Sequence, residues 1–163
     1  MAEMSSSPLA NTWPIEELLS HQDPMIFIDR VVESDQTGLL AEIRIEPGVP
    51  LFQEGIGVPA WVGLEYMAQS IAALSGLRAK KDEEDVRLGL LIGCRNYVSD
   101  VSVFPDGADL KIRVTELDVL DKSLGAFDCT IGSPDTIVTA RLMVYGRTHG
   151  SDEIDFVMNR SGR

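Results

Sequence analysis

A single carboxylate interrupts the longest apolar stretch of the sequence, and its side chain is suited to acid–base chemistry. Between residues 59 and 77 the only charged residue is Glu65. Burying an ionised carboxylate among apolar side chains is costly unless it is paired or protonated, and a well-placed carboxyl group can act as a general acid or base. We therefore predict that Glu65 is functional, with an exposed position or a structural hydrogen bond as the alternatives.

Few other side chains near this carboxylate offer chemistry. Gln69 lies one helical turn beyond Glu65 on the same face, where it can hydrogen-bond the carboxylate, a ligand carbonyl or nearby backbone. The chain has two histidines. His21 precedes the first predicted strand, and His149 lies in the polar tail, where we predict no functional role.

The carboxylate lies within the longest predicted helix, at residues 59–81. This segment is apolar nearly all round, which is typical of a buried helix, and its many small residues would allow a surrounding sheet to approach closely. A phase slip in the apolar alternation of the strand at 110–120 predicts a bulge near Thr115 or Glu116. Other predicted elements are a short helix at 14–20, strands at 25–32, 39–46 and 88–98, and two last strands through 127–131 and 138–144, which complete an antiparallel meander.

Composition and charge narrow the class of protein. The 163 residues suit one α+β domain, predicted at 13–148 between flexible ends at 1–12 and 149–163. The net charge of −12 argues against binding to nucleic acid or to an anionic membrane. Without a membrane-spanning run or a signal pattern, we predict a cytoplasmic location. Cys94 and Cys129 lie in apolar segments without the spacing of a metal site, so we predict buried, reduced thiols.

Two motifs in a fixed order carry a resemblance to a known family. Residues 19–31 read LSHQDPMIFIDRV, and residues 58–69 read VPAWVGLEYMAQ. The pair resembles the hot-dog-fold 3-hydroxyacyl-(acyl-carrier-protein) dehydratases. In that family a Leu-x-His-x-x-Pro segment leads into an Asp-Arg-Val strand, and a central helix carries Glu-x-x-Ala-Gln, here Glu65, Ala68 and Gln69. The resemblance covers most of residues 14–145 and implies a curled antiparallel sheet wrapped around one long central helix.

The resemblance also implies a mechanism without a metal or redox cofactor. A histidine in the loop before the helix removes the proton next to the thioester carbonyl, the helix carboxylate (Glu65 here) helps to expel the 3-hydroxyl as water, and backbone N–H groups at the helix start polarise the carbonyl. This sequence departs from the pattern because its loop, residues 51–61, is short and has no histidine. In that respect it resembles a divergent, dehydratase-like subgroup linked to aryl-polyene-type pathways.

Several residues are therefore candidates for the site. His21 and Glu54 are possible replacements for the missing base, with a structural role favoured for His21. Gln69, Pro59, Trp61 and Tyr66, together with Glu54, are the predicted substrate-binding residues.

The resemblance leaves the exact activity and the assembly open. It implies an acyl-carrier-protein or coenzyme A thioester as substrate. It also implies a homodimer or a multiple of one, with a heteromer containing an active dehydratase as a further possibility. The alternatives to a dehydratase are a non-catalytic acyl-binding subunit of such a heteromer and a hot-dog thioesterase.

Overall fold

The computed structural model describes residues 9–86, 88–121 and 123–146. Residues 1–8 and 147–163 lie outside the described residues, and so do most of the end predicted at 1–12, the whole of the end predicted at 149–163, and His149. Within the described ranges, two helices and nine strands follow one another, with a 3-10 turn at Ala60–Val62 before the second helix. They are β1 Leu9–Ala10, α1 Ile15–Leu18, β2 Arg30–Ser34, β3 Gly38–Arg44, β4 Gly57–Pro59, α2 Gly63–Lys81, β5 Gly89–Ser99, β6 Val103–Pro105, β7 Asp109–Asp121, β8 Leu124–Ser133 and β9 Thr136–Gly146.

One large antiparallel sheet surrounds the long helix. Seven strands are hydrogen-bonded in the order β1-β2-β3-β7-β8-β9-β5, and β4 pairs with β6 as a separate ribbon. Helix α2 packs against β2, β3, β5, β7, β8 and β9, which confirms the predicted sheet curled around a central helix. Among the described residues, no helix combines the length and apolar character needed to cross a bilayer.

Apolar and polar side chains alternate along these strands, which gives the sheet one buried face and one face exposed to solvent. The predicted inward set of β3, Leu39, Ala41 and Ile43, is buried. The same pattern recurs along β7, β8 and β9, whose inward residues form the core together with α2. These residues are Leu110, Ile112, Val114, Phe127, Cys129, Ile131, Val138, Ala140 and Leu142.

Two glycines of α2 lie where neighbouring elements approach the helix closely. A Cβ atom at Gly63 would lie 2.8 Å from Ile131 of β8, as the predicted approach of the sheet requires. At Gly76 the neighbour is instead the backbone of α1, because a Cβ atom there would lie only 2.0 Å from the carbonyl oxygen of Leu18. The small residues therefore accommodate both the sheet and the short helix.

The boundaries of three predicted segments differ in the structure. The strand expected at 25–32 begins only at Arg30. The helix expected from Pro59 begins at Gly63, since Pro59 ends β4. Leu9 and Ala10, in the segment expected to be flexible, pair with β2. The bulge in β7 is confirmed as a register shift between Glu116 and the second residue after it.

The two cysteines differ in environment. Cys129 is buried as predicted, and its burial raises the pKa of its thiol to about 12. The prediction is wrong for Cys94, which is exposed. Cys94 lies on β5, the last strand of the sheet, and this strand has a neighbour on only one side among the described residues. Its apolar pattern therefore does not lead to burial within one chain.

Candidate functional site

A groove of about 380 Å³ runs along one face of α2. Glu65, Gln69 and His21 lie at one end, and Arg78 and Glu116 lie at the other. With a rise of about 1.5 Å per residue, the helix places Glu65 and Arg78 about 20 Å apart along its axis. The wall between these polar ends is mainly apolar, formed by Ala68, Ala72, Leu88, Leu91, Leu124, Phe127 and Val144. The groove thus offers an extended apolar channel that begins at a carboxylate.

Glu65 lies on the open strip of α2 that borders this groove. Its side chain is 40% exposed, so it is less buried than its apolar sequence neighbours predict. The sheet leaves this strip uncovered, because Ala68 and Ala72 on the same face are only partly buried and Ser75 is exposed. The Glu65 carboxylate can therefore reach a ligand in the groove without an opening motion of the chain.

Gln69 holds this carboxylate in place. Its side chain is fully buried. The backbone N–H of Phe27 donates to Gln69 Oε1 at 2.8 Å, while Gln69 Nε2 donates to the carbonyl oxygen of Met25 at 2.8 Å and to Glu65 Oε1 at 2.9 Å. These bonds satisfy a buried amide, as buried polar groups require, and they explain why residues 25–27 do not extend β2.

His21 lies beside the same carboxylate. Its Nε2 atom is 3.9 Å from Glu65 Oε1, and the side chain is 31% exposed. Its other ring nitrogen, Nδ1, is buried and has no hydrogen-bond partner among the described residues. A catalytic imidazole is usually oriented by a hydrogen bond at its second nitrogen, so His21 lacks the support that a general base ordinarily has.

The remaining predicted site residues lie away from the groove. Trp61 is 65% exposed on the 3-10 turn, and Glu54 is exposed in the loop before β4. Pro59 is half-buried at the end of β4. None of the three lines the groove. Their contacts with substrate, and the role of Glu54 as a replacement base, stay predictions.

Tyr66 belongs to the core. It is fully buried, and its ring centroid lies 6.4 Å from that of Phe27 and 6.0 Å from that of Phe104. Its hydroxyl has no hydrogen-bond partner among the described residues, and burial raises its pKa. Tyr66 is also absent from the groove wall, so its predicted contact with substrate would require a rearrangement.

The far end of the groove was not predicted as part of the site. Arg78 donates to Glu116 Oε2 at 2.8 Å and to the carbonyl oxygen of Gln36 at 2.8 Å. From the sequence we interpret Arg78 as favourable positive charge near a helix C-terminus, with a docking patch for an acidic acyl-carrier protein or a phosphopantetheine phosphate as the alternative. The walls from β8 and β9 were also missed, because alternation predicts which face a residue takes but not which strand end lies beside the helix.

Comparison with known proteins supports a dehydratase. The dehydratase heterocomplex ApeI:P from Xenorhabdus doucetiae matches the structure with a TM-score of 0.80 and 27% identity, covering 90% of this chain and 99% of that one. A hypothetical thioesterase from Streptococcus pneumoniae TIGR4, solved with coenzyme A, has a TM-score of 0.55 at 10% identity, covering 75% and 88%. The second likeness shows the fold alone, and together the two confirm the hot-dog fold.

The sequence comparisons identify the family. A 3-hydroxyacyl-(acyl-carrier-protein) dehydratase, FabZ of Anaeromyxobacter dehalogenans (strain 2CP-C), is 31% identical over 108 residues, which cover 63% of this chain and 69% of the relative. The ApeP-like family model, described as ApeP dehydratase, matches residues 13–155. The chain therefore belongs to the ApeP-like dehydratase family, which confirms the prediction of a hot-dog 3-hydroxyacyl-(acyl-carrier-protein) dehydratase or a close relative.

Proposed function

We propose that this chain takes part in the dehydration of 3-hydroxyacyl thioesters on an acyl-carrier protein, with Glu65 as the proton donor to the leaving hydroxyl. One observation carries the proposal: a half-exposed carboxylate, held by a buried amide, lies at the end of a mainly apolar groove about 20 Å long. The apolar wall suits an acyl chain. The carboxylate lies at one end of this wall, where it can act on the end of the chain that carries the thioester and the 3-hydroxyl.

The elimination requires two groups that act on neighbouring carbons. A base removes the proton next to the thioester carbonyl, and the electron pair of that C–H bond forms the new C=C bond. The C–O bond at the third carbon breaks, and the hydroxyl leaves as water with the proton from Glu65. The products are a 2-enoyl thioester and water, and the carboxylate is reprotonated before the next turnover.

We further propose that a partner subunit supplies the base. The loop at 51–61 holds no histidine, and His21 lacks an orienting hydrogen bond at Nδ1 among the described residues. The solved structure that resembles this chain with a TM-score of 0.80 is a dehydratase heterocomplex. These observations favour a heteromer in which this chain contributes the acid and a histidine-bearing hot-dog subunit contributes the base.

Activity measurements test this proposal against the alternatives. The purified chain, alone and co-purified with partners from its native cells, is incubated with 3-hydroxyacyl thioesters of carrier protein and of coenzyme A. We expect the enoyl product from the heteromer, detected by mass spectrometry. Release of free thiol would identify a thioesterase instead. A heteromer that keeps its dehydratase activity after Glu65→Gln would identify this chain as the non-catalytic acyl-binding subunit. The cytoplasmic location stays a prediction.

Assembly through β5 is a separate expected result. This end strand exposes Leu90, Leu91, Ile92 and Val98, and free strand edges with apolar side chains are usually covered by a partner. Sedimentation at micromolar concentration should show a dimer or a multiple of one, and the Ile92→Lys substitution should shift it to monomer. Ile137→Lys is the control, because Ile137 is 63% exposed on β9, which is paired on both sides. A monomeric wild type would contradict the expectation.

Replacement of His21 tests whether it is the base. If the partner supplies the base, His21→Ala should lower the melting temperature but keep kcat of the folded heteromer within about tenfold of wild type. A general base is worth about 10²–10⁴-fold in rate. A stable, correctly assembled variant whose kcat falls by ~10²-fold or more would make His21 the base of the reaction.

A further inference from the structure

We infer that Gln69 is a positioning residue that holds Oε1 of Glu65 and thereby makes Oε2 the oxygen that delivers the proton. The inference rests on the proposed role of Glu65. It replaces the substrate contact predicted for Gln69 with an action through the carboxylate.

The hydrogen bonds of Gln69 leave it no donor for a ligand. An amide nitrogen carries two hydrogens, and Gln69 Nε2 has two acceptors, the Met25 carbonyl oxygen at 2.8 Å and Glu65 Oε1 at 2.9 Å. Gln69 is also fully buried, so a substrate in the groove does not reach its amide nitrogen without breaking one of these bonds.

The orientation of this amide is set by the backbone. The Phe27 N–H is a donor and needs an acceptor, so the Gln69 carbonyl oxygen faces it at 2.8 Å. The Met25 carbonyl oxygen is an acceptor and needs a donor, so the amide nitrogen faces that side. A flipped amide would place two donors together at Phe27 and two acceptors together at Met25. The contacts with Phe27 and Met25 therefore favour the same orientation of the Gln69 amide, and this orientation directs an N–H group at Glu65.

This N–H group makes the two carboxylate oxygens unequal. A proton on Oε1 would confront the N–H donor of Gln69, whereas a proton on Oε2 leaves that hydrogen bond intact. Among the described residues, Oε2 has no hydrogen-bond partner in the protein. When the Oε2–H bond breaks, the proton passes to the leaving hydroxyl and the electron pair stays on the carboxylate. The Gln69 N–H then stabilises the anion through Oε1.

Two substitutions test the role of Gln69 by a readout that a purely structural residue would not move. Gln69→Glu keeps the shape but places a second carboxyl group beside Oε1, and carboxyl groups this close share a proton. Gln69→Met keeps the length and removes the N–H donor. Loss of the protonated general acid sets the alkaline limb of the pH–rate profile, and in both variants this limb should move up by one pH unit or more in the heteromer. We also expect kcat to fall at least tenfold and KM to change less than threefold.

Ser70→Ala is the matched control. Ser70 is buried on the same helix, and its hydroxyl donates to the Tyr66 carbonyl oxygen at 2.7 Å without contacting Glu65. This variant should lose stability and keep the wild-type pH profile. Among the described residues, His21 is a second titratable side chain beside Glu65. The profiles are therefore repeated in a His21→Ala background to separate the imidazole from the carboxylate.

A measurement that needs no activity completes the test. Carboxyl-carbon NMR of glutamate-labelled chain follows the titration of Glu65 in the folded wild type and in each variant. A midpoint that moves in Gln69→Met but not in Ser70→Ala supports the inference, even if the wild type proves inactive and the proposed function fails. An unmoved midpoint in both Gln69 variants, or a tenfold rise in KM with an unchanged pH profile, would overturn it.

Discussion

Replacing Glu65 with Gln should lower kcat for dehydration by ~10³-fold, within the range that a general acid contributes. The amide has the shape of the carboxyl group, and its oxygen can still accept the hydrogen bond from Gln69, so the fold and the groove should persist. It has no acidic proton to give to the leaving hydroxyl. The measurement is kcat of the proposed heteromer with a 3-hydroxyacyl thioester on carrier protein.

A control substitution and a stability measurement accompany this test. Glu16→Gln removes one exposed carboxylate from α1, away from the groove, and should leave kcat unchanged. Because the Glu65 side chain is 40% exposed, loss of its charge should alter the melting temperature little at pH 8. Retention of more than a tenth of wild-type kcat by Glu65→Gln would remove this residue from the chemistry.

The largest expected effect on folding is at Gly76, where a single added carbon atom should lower the free energy of unfolding by ~3 kcal/mol. Glycine-to-alanine replacement on an open helix surface is normally stabilising, by up to about 1 kcal/mol. At Gly76, however, the new Cβ atom would lie 2.0 Å from the Leu18 carbonyl oxygen. Helix α1 would have to move away, and His21 follows it closely in the chain.

Urea unfolding of Gly76→Ala measures this effect. Gly132→Ala is the control, because a Cβ atom at Gly132 meets nothing within 4 Å, and its stability should stay within ~0.5 kcal/mol of wild type. Equal stability of Gly76→Ala and wild type would mean that α1 does not pack against α2 as closely as described.

Much of the fold follows from local patterns in the sequence. The alternation of Leu39, Ala41 and Ile43 predicts the inward face of β3, and the same period predicts the meander of β7, β8 and β9. The nearly uncharged helix is predictable because few other elements accommodate so long an apolar segment. The four-residue spacing of Glu65 and Gln69 likewise predicts that their side chains can meet, as they do at 2.9 Å.

The features that the sequence did not predict depend on contacts between residues that are distant in the chain. Residues 25–27 have the composition of a strand, yet the Gln69 side chain occupies the backbone groups of Met25 and Phe27 that a neighbouring strand would need. Cys94 lies in an apolar pattern that indicates burial, but it is exposed, and no strand of the described residues pairs with the outer edge of β5. The pairing of Arg78 with Glu116 joins a helix end to a strand bulge, for which no local motif exists.

The outer edge of β5, unpaired among the described residues, bears on how this protein is produced in a cell. An unpaired row of N–H and C=O groups flanked by leucine and isoleucine is a template onto which any extended chain can add. Newly synthesised copies in excess of their binding partners would pair with one another along this edge. They would also be subject to clearance by chaperones and proteases. In the proposed heteromer, balanced synthesis of both subunits, from adjacent coding regions or at matched translation rates, would then protect this protein as much as its own sequence does.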